Sequence, residues 1–142
     1  MADAPTRPSW GARLACLLYE SLIVVAVIVV GVVFPYTLIG AAWGITAGGR
    51  VLLGHLFLVL MLYFAWQWIR GGQTLAMKTW RIRLESTSGG PVSPGVAVLR
   101  YSLAWIGVLA AGVTFLWALI DRDGLYLHDR LAGTRLVAIP KN

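Results

Sequence analysis

Glu20 is the only charge in an apolar run of 21 residues, Leu14 to Phe34. A carboxylate about two turns into a membrane-crossing helix costs roughly 2.5–3.5 kcal/mol even on the lenient insertion scale. Something must offset that cost. One reading makes Glu20 a proton- or cation-binding group at a helix interface. The other makes it half of an ion pair that fixes helix register. Arg13, seven residues earlier on the same helical face, and Arg100, inside a later hydrophobic segment, are the two candidate partners. The ion-pair lock is the preferred reading, and the proton- or cation-linked role stays open for Glu20 with Arg100 and His55.

The remaining reactive side chains point away from catalysis. His55 falls early in a second hydrophobic run, where a neutral imidazole bonded to a backbone carbonyl is favoured over a proton relay. His128 neighbours Asp129, but consecutive helical residues do not converge on one ion, so no metal site is expected. Gly71-Gly72-Gln73-Thr74 lacks the glycine spacing and the Lys-Ser/Thr ending of a phosphate loop. No serine lies in a nucleophile elbow. No cofactor is expected, and the chain does not read as an enzyme.

The elements that must hold these residues are written in the composition. Of 142 residues, 58% are hydrophobic and 13% charged, with a mean hydropathy of +0.75. Soluble domains carry roughly 25% charged residues, so a soluble core of this size could not absorb so much apolar surface, whereas lipid can. The net charge of +6 then reads as retention of Lys and Arg on the cytoplasmic side rather than as a nucleic-acid footprint. The lone cysteine, Cys16, reads as a small buried residue. Arg7 and Arg13 precede an apolar run too long for the core of a signal peptide, so a retained anchor is expected.

Along the chain, residues 1–12 form a short cytoplasmic lead, with Ser9 or Trp10 beginning an interfacial turn and Trp10 at headgroup depth. The 21-residue run that follows is about 31 Å of helix, enough to cross the hydrocarbon. Pro35 is expected to end it. Residues 35–50 then read as a short loop or interfacial helix, with Gly40, Gly44 and Gly48 as the competing close-packing face. Val51 to Ile69 is a second crossing, closed by Tyr63, Trp66, Trp68 and Arg70 at the cytoplasmic interface. Residues 13–70 therefore make a helical hairpin, with the N-terminus cytoplasmic.

Residues 71–95 read as a cytoplasmic loop. Trp80 to Leu84 alternates with period two, which suggests a strand. Ser88-Gly89-Gly90-Pro91 is a turn, and Ser93-Pro94 caps a further helix. Residues 96–120 form a third hydrophobic segment, too short for two full crossings. It is either a re-entrant element, bent at Gly107 after an interfacial helix over 94–105, or a plain third span. The polar tail, 121–142, carries Arg122, Arg130, Arg135 and Lys141 and a second strand-like piece at 134–139. The fold class is thus an all-α membrane protein: two transmembrane helices in a hairpin, a third re-entrant or spanning segment, and room for a two-strand β element at the cytoplasmic face.

Three blocks together resemble the RDD family of small membrane proteins. The first is Arg13-Leu14-Ala15 leading to Glu20; the second is Gly72-Gln73-Thr74-Leu75-Ala76-Met77-Lys78; the third is Leu127 through Arg135, with Asp129 at its centre. Arg100 also falls where the family tends to place an arginine. The resemblance covers residues 9–139 as a single domain. It departs at Glu20, where the family has aspartate, and at Ala76, where it usually has glycine. It implies an inner-membrane location and groups Arg13, Glu20 and Asp129. The expected pairings are Asp129 with Arg13 and Glu20 with Arg100. An accessory or scaffolding component of a membrane assembly is the expected role, working by self-association or within a larger complex in the lipid bilayer. A small oligomeric cation/proton exchanger using Glu20 is the alternative.

Overall fold

The computed structural model describes residues 6–110 and 112–140. Lys141 and the first five residues of the lead lie outside the described residues. Ser9 caps helix α1 (Trp10–Ile28) by accepting from Ala12 N–H at 3.2 Å, as a serine before an apolar run should. Helix α1 does not stop at Phe34. It widens into a π-helical stretch, Val29–Val33, and continues as α2 (Phe34–Trp43). The expected break at Pro35 is therefore corrected. A proline clashes with the carbonyl four residues back and leaves it without a donor, and the wider i→i+5 turn just upstream makes room for the ring. Residues Trp10–Trp43 run as 34 residues with an 18-residue stretch of mean hydropathy 2.8, and α3 (Gly49–Gly71) is 23 residues with an 18-residue stretch of mean hydropathy 1.7. Both are long and apolar enough to cross a membrane.

The glycines at 40, 44 and 48 do not make a helix-packing face. Gly44 caps α2 and Gly48 caps α3, on either side of a short turn. The close approach falls instead at Gly31, where a Cβ would come within 2.8 Å of Val59 on α3.

At the other end of the hairpin the chain turns polar. Gly72 ends α3 in the left-handed region, with its N–H donating to Trp68 O at 2.9 Å. Thr74 caps the short helix α4 (Leu75–Thr79), and strand β1 (Ile82–Ser86) follows. Ser93 caps α5 (Pro94–Leu109) by accepting from Val96 N–H, with Pro94 at its start. Helix α5 packs on α3, where Tyr101 Oη donates to Phe57 O at 2.9 Å. The chain then bends by 105° into α6 (Val113–Leu116) and a 3-10 turn, Trp117–Leu119. Gly107 admits that bend, because any Cβ there would overlap Thr114 of α6. Helix α7 (Leu127–Ala132) leads into β2 (Thr134–Ala138).

Strands β1 and β2 pair antiparallel, with Leu84 opposite Leu136 and Ile82 opposite Ala138. Ile82 and Leu84 turn into a core shared with Trp68, Ala76, Met77, Ala97 and Tyr101. Elsewhere the helices present bare apolar side chains such as Leu18, Leu22, Val30 and Leu62, an arrangement suited to lipid rather than water.

Candidate functional site

The motif charges gather at the polar end of this bundle, and each joins segments far apart in sequence. Arg100 lies two turns into α5, on the face turned towards α7. Its Nε donates to Asp129 Oδ1 at 2.5 Å, with side-chain exposures of 8% and 1%. The Thr134 hydroxyl, at the start of β2, donates to the same oxygen at 2.9 Å. The guanidinium stacks 4.3 Å from the Trp68 ring centroid on α3, a contact that strengthens when water is excluded. One ion pair thus ties α3, α5, α7 and β2.

His128 lies beside this pair, stacked on Tyr126 at 5.4 Å and edge-on to Phe115 at 5.3 Å. Burial, and then the Arg100 charge, pull its pKa down to about 4. The ring is therefore neutral at physiological pH. An unfolded histidine titrates near 6.5, so as pH falls the unfolded chain takes up the proton first. Stability should be complete above pH 6.5, decline as pH falls from there to about 4, and level below. The loss is expected to be about 3 kcal/mol. Thermal melts at stepped pH measure it, and His128→Phe, which keeps the aromatic stack, should remove that slope.

Glu20 projects from α1, about three turns in, towards α3 and α4. Tyr63 Oη donates to its Oε1 at 2.9 Å, and the Thr74 hydroxyl donates to Oε2. Thr74 is buried, and its oxygen also accepts from Met77 N–H at 3.2 Å, so the residue that caps α4 is the one that holds the carboxylate. Gln73 fastens the same turn to β1, donating to Ile82 O at 2.8 Å. The motif loop is a joint between two helices and a strand. Lys78 is exposed on its outer side. Ala76 is fully buried in the core, in a helical position where a methyl is accommodated.

Arg13 is buried and donates from Nη1 to Gly124 O at 2.6 Å, closing a loop of 111 residues. Its guanidinium lies 5.1 Å from the Trp10 ring and 5.7 Å from Tyr126. His55 stands apart, edge-on to Tyr36 at 5.4 Å near the opposite end of the hairpin.

Both expected pairings are thereby corrected. Arg100 takes Asp129, Glu20 takes two hydroxyls, and Arg13 takes a carbonyl and two aromatic faces. The expected ion-pair lock of Glu20 with Arg13 or Arg100 is not formed; the buried ion pair is Arg100 with Asp129. Tyr63 and Trp68, read from sequence as interfacial aromatics, supply a donor and a cation platform. Thr134 and Tyr126 were not singled out. The Thr134 signal was present as the threonine following Ala132-Gly133 in the third block.

A family model described as the RDD family matches residues 7–133, a range that takes in all of these charges. No curated protein and no solved structure matches the chain.

Proposed function

The chain belongs to the RDD family, and from that premise we propose that it is an accessory or scaffolding component of a membrane assembly. One observation carries the reading. Arg13, Glu20, Arg100 and Asp129 each join distant segments of the chain, through Gly124, Tyr63 with Thr74, and each other. Groups held in that way build a rigid unit, and they leave no nucleophile and base facing one substrate. The reading gives the protein no enzymatic role and no nucleic-acid partner.

We place it in a bacterial-type inner membrane with the N-terminus cytoplasmic. The pairing of β1 with β2 supports a re-entrant third segment, since it brings Arg81 and Arg83 to the same end as Arg130 and Arg135, and positive clusters stay in the cytoplasm. The 105° bend between α5 and α6 fits a segment that enters and returns.

A second reading, the oligomeric cation/proton exchanger, is favoured by one fact. Among the described residues no Lys or Arg stands within ion-pair distance of Glu20. A carboxylate satisfied by hydroxyls alone can still exchange a proton or cation. The two readings separate in one preparation. Blue-native electrophoresis in mild detergent should show a species larger than the monomer, and proteoliposomes with an internal pH dye should show no response to a sodium or potassium pulse. Monomer alone would count against scaffolding. A pulse response lost in Glu20→Gln, at normal folded yield, would establish the exchanger.

A further inference from the structure

Beside the core at the polar end, a cavity of about 330 Å³ opens among Arg7, Arg13, Arg135, Thr87 and Leu125, with Asp123 at its rim. It is built by three distant parts of the chain. The lead crosses the outer edge of β2, where Ala138 N–H donates to Thr6 O at 2.8 Å and so brings Arg7 alongside. Arg13 enters from α1, and Arg135 from β2.

Three guanidinium groups facing one space repel each other unless an anion lies between them. The protein supplies little of that anion. Of the three arginines, Asp123 is within ion-pair distance of Arg7 alone among the described residues, at 3.6 Å in a pair more than half exposed on both sides; it also meets Arg130 at 3.4 Å, and such exposed pairs hold weakly. Asp121 is taken by Arg130. Glu85 lies opposite Arg135 in the strand register, yet among the described residues no carboxylate is within ion-pair distance of Arg135 or Arg13. Arg13 is 5% exposed, and among the described residues neither its Nε nor that of Arg135, both sealed from solvent, has a hydrogen-bond partner. Buried donors ordinarily find acceptors. Three arginines lining one cavity, with one exposed carboxylate beside them, describe a receptor for a multidentate oxyanion.

We propose that this cavity binds a phosphate group, presented by an anionic phospholipid headgroup at the membrane face. Several points select that source. Arg13 and its neighbour Trp10 stand at the start of the first membrane-crossing helix, which is headgroup depth. Trp10 is half-exposed, with Leu14 and Leu17 exposed just beyond it, so acyl chains can follow the helix while the phosphate reaches the guanidinium groups. The volume exceeds that of a single water many times over. Basic pockets beside the end of a membrane helix suit anionic headgroups.

The test uses the full chain in detergent, with phosphatidylglycerol and phosphatidylcholine added in equal amounts, and native mass spectrometry to count retained lipid. Wild type should keep phosphatidylglycerol selectively. Arg7→Gln and Arg135→Gln, both at positions that are not fully buried and so tolerant of change, should each lower that retention about five-fold. Thermal melts with millimolar inorganic phosphate form the second arm. A rise in wild type that both variants lose, without lipid selectivity, would keep the phosphate site and make its source a free anion. No lipid selectivity together with no phosphate-dependent rise would overturn the proposal. So would retention in the two variants equal to wild type.

Discussion

Replacing Asp129 with alanine is expected to destabilise the fold by about 3–5 kcal/mol, because it strands a buried guanidinium without its counter-charge. Arg100 is 7% exposed and lies deep against Trp68, so neither lipid nor water is placed to replace the carboxylate. The Thr134 hydroxyl loses an acceptor at the same time. Folded yield by fluorescence-detected gel filtration, and thermal melts in detergent, measure the effect. The double variant Arg100→Met with Asp129→Leu should recover much of the loss, since an apolar pair of similar volume removes both desolvation costs. The same cycle decides between pairings. Coupling should be large between Arg100 and Asp129 and near zero between Arg13 and Asp129, because Arg13 bonds Gly124 instead. Strong Arg13–Asp129 coupling would contradict the arrangement of this end of the molecule.

The second large effect is expected at a glycine. Gly72 has φ +67, and a Cβ on it would come within 2.6 Å of Leu84 O and 3.1 Å of Arg83 Cγ. The left-handed conformation alone costs an ordinary residue roughly 1–2 kcal/mol. The collision is with backbone rather than with a flexible side chain, so β1 itself must move. That strand is held here by Leu84 N–H donating to Gly72 O at 2.7 Å, and the shift would carry to Gln73 and Thr74, which hold the strand and Glu20. Gly72→Ala should therefore lower stability by about 2–4 kcal/mol, the sum of conformational strain and a lost or bent hydrogen bond. Gly71→Ala, one residue away with nothing near its missing Cβ, should be neutral or slightly stabilising, since alanine is the better helix residue. Equal behaviour of the two variants in thermal melts would refute this account of the joint.

Much of the scaffold was legible because hydropathy is a sum over many residues. The two long apolar helices, the cap at Ser93, and both strands follow from local pattern, whereas the first helix starts earlier than expected, at Trp10 behind a Ser9 cap. The continuation through Pro35 was not, because the π stretch that relieves the proline lies in Val29-Val30-Gly31-Val32-Val33, which has no composition of its own. The site was legible as a set of charges and illegible as a set of contacts. Arg13, Glu20, Arg100 and Asp129 stand out because charge is rare in this chain. Which charge meets which depends on the bend at Gly107 and the return of α7, and neither fixes a distance in sequence. Hydroxyl donors such as Tyr63 and Thr74 are common residues with satisfactory roles elsewhere, so nothing marked them as the partners of a carboxylate.

The uninterrupted run from Trp10 to Trp43 has a mechanical consequence. At about 1.5 Å per residue, 34 residues reach about 51 Å, beyond the 40–45 Å of a whole bilayer with its headgroups. Helix α3, at 23 residues, reaches about 35 Å and suits the same bilayer nearly upright. Two antiparallel neighbours therefore demand different thicknesses. The longer one must lean, or gather thicker lipid around it. The crossing that absorbs the difference is the Gly31–Val59 contact, inside the one stretch where the helix is already unwound from α geometry. Below it the two helices are tied through Glu20, Tyr63 and Thr74; above it they are joined by a short turn and by apolar and ring contacts such as that of Tyr36 with His55. Thickening or thinning the membrane should thus splay the far arms about that pivot while the polar end keeps its shape, which makes the hairpin a lever set by bilayer thickness.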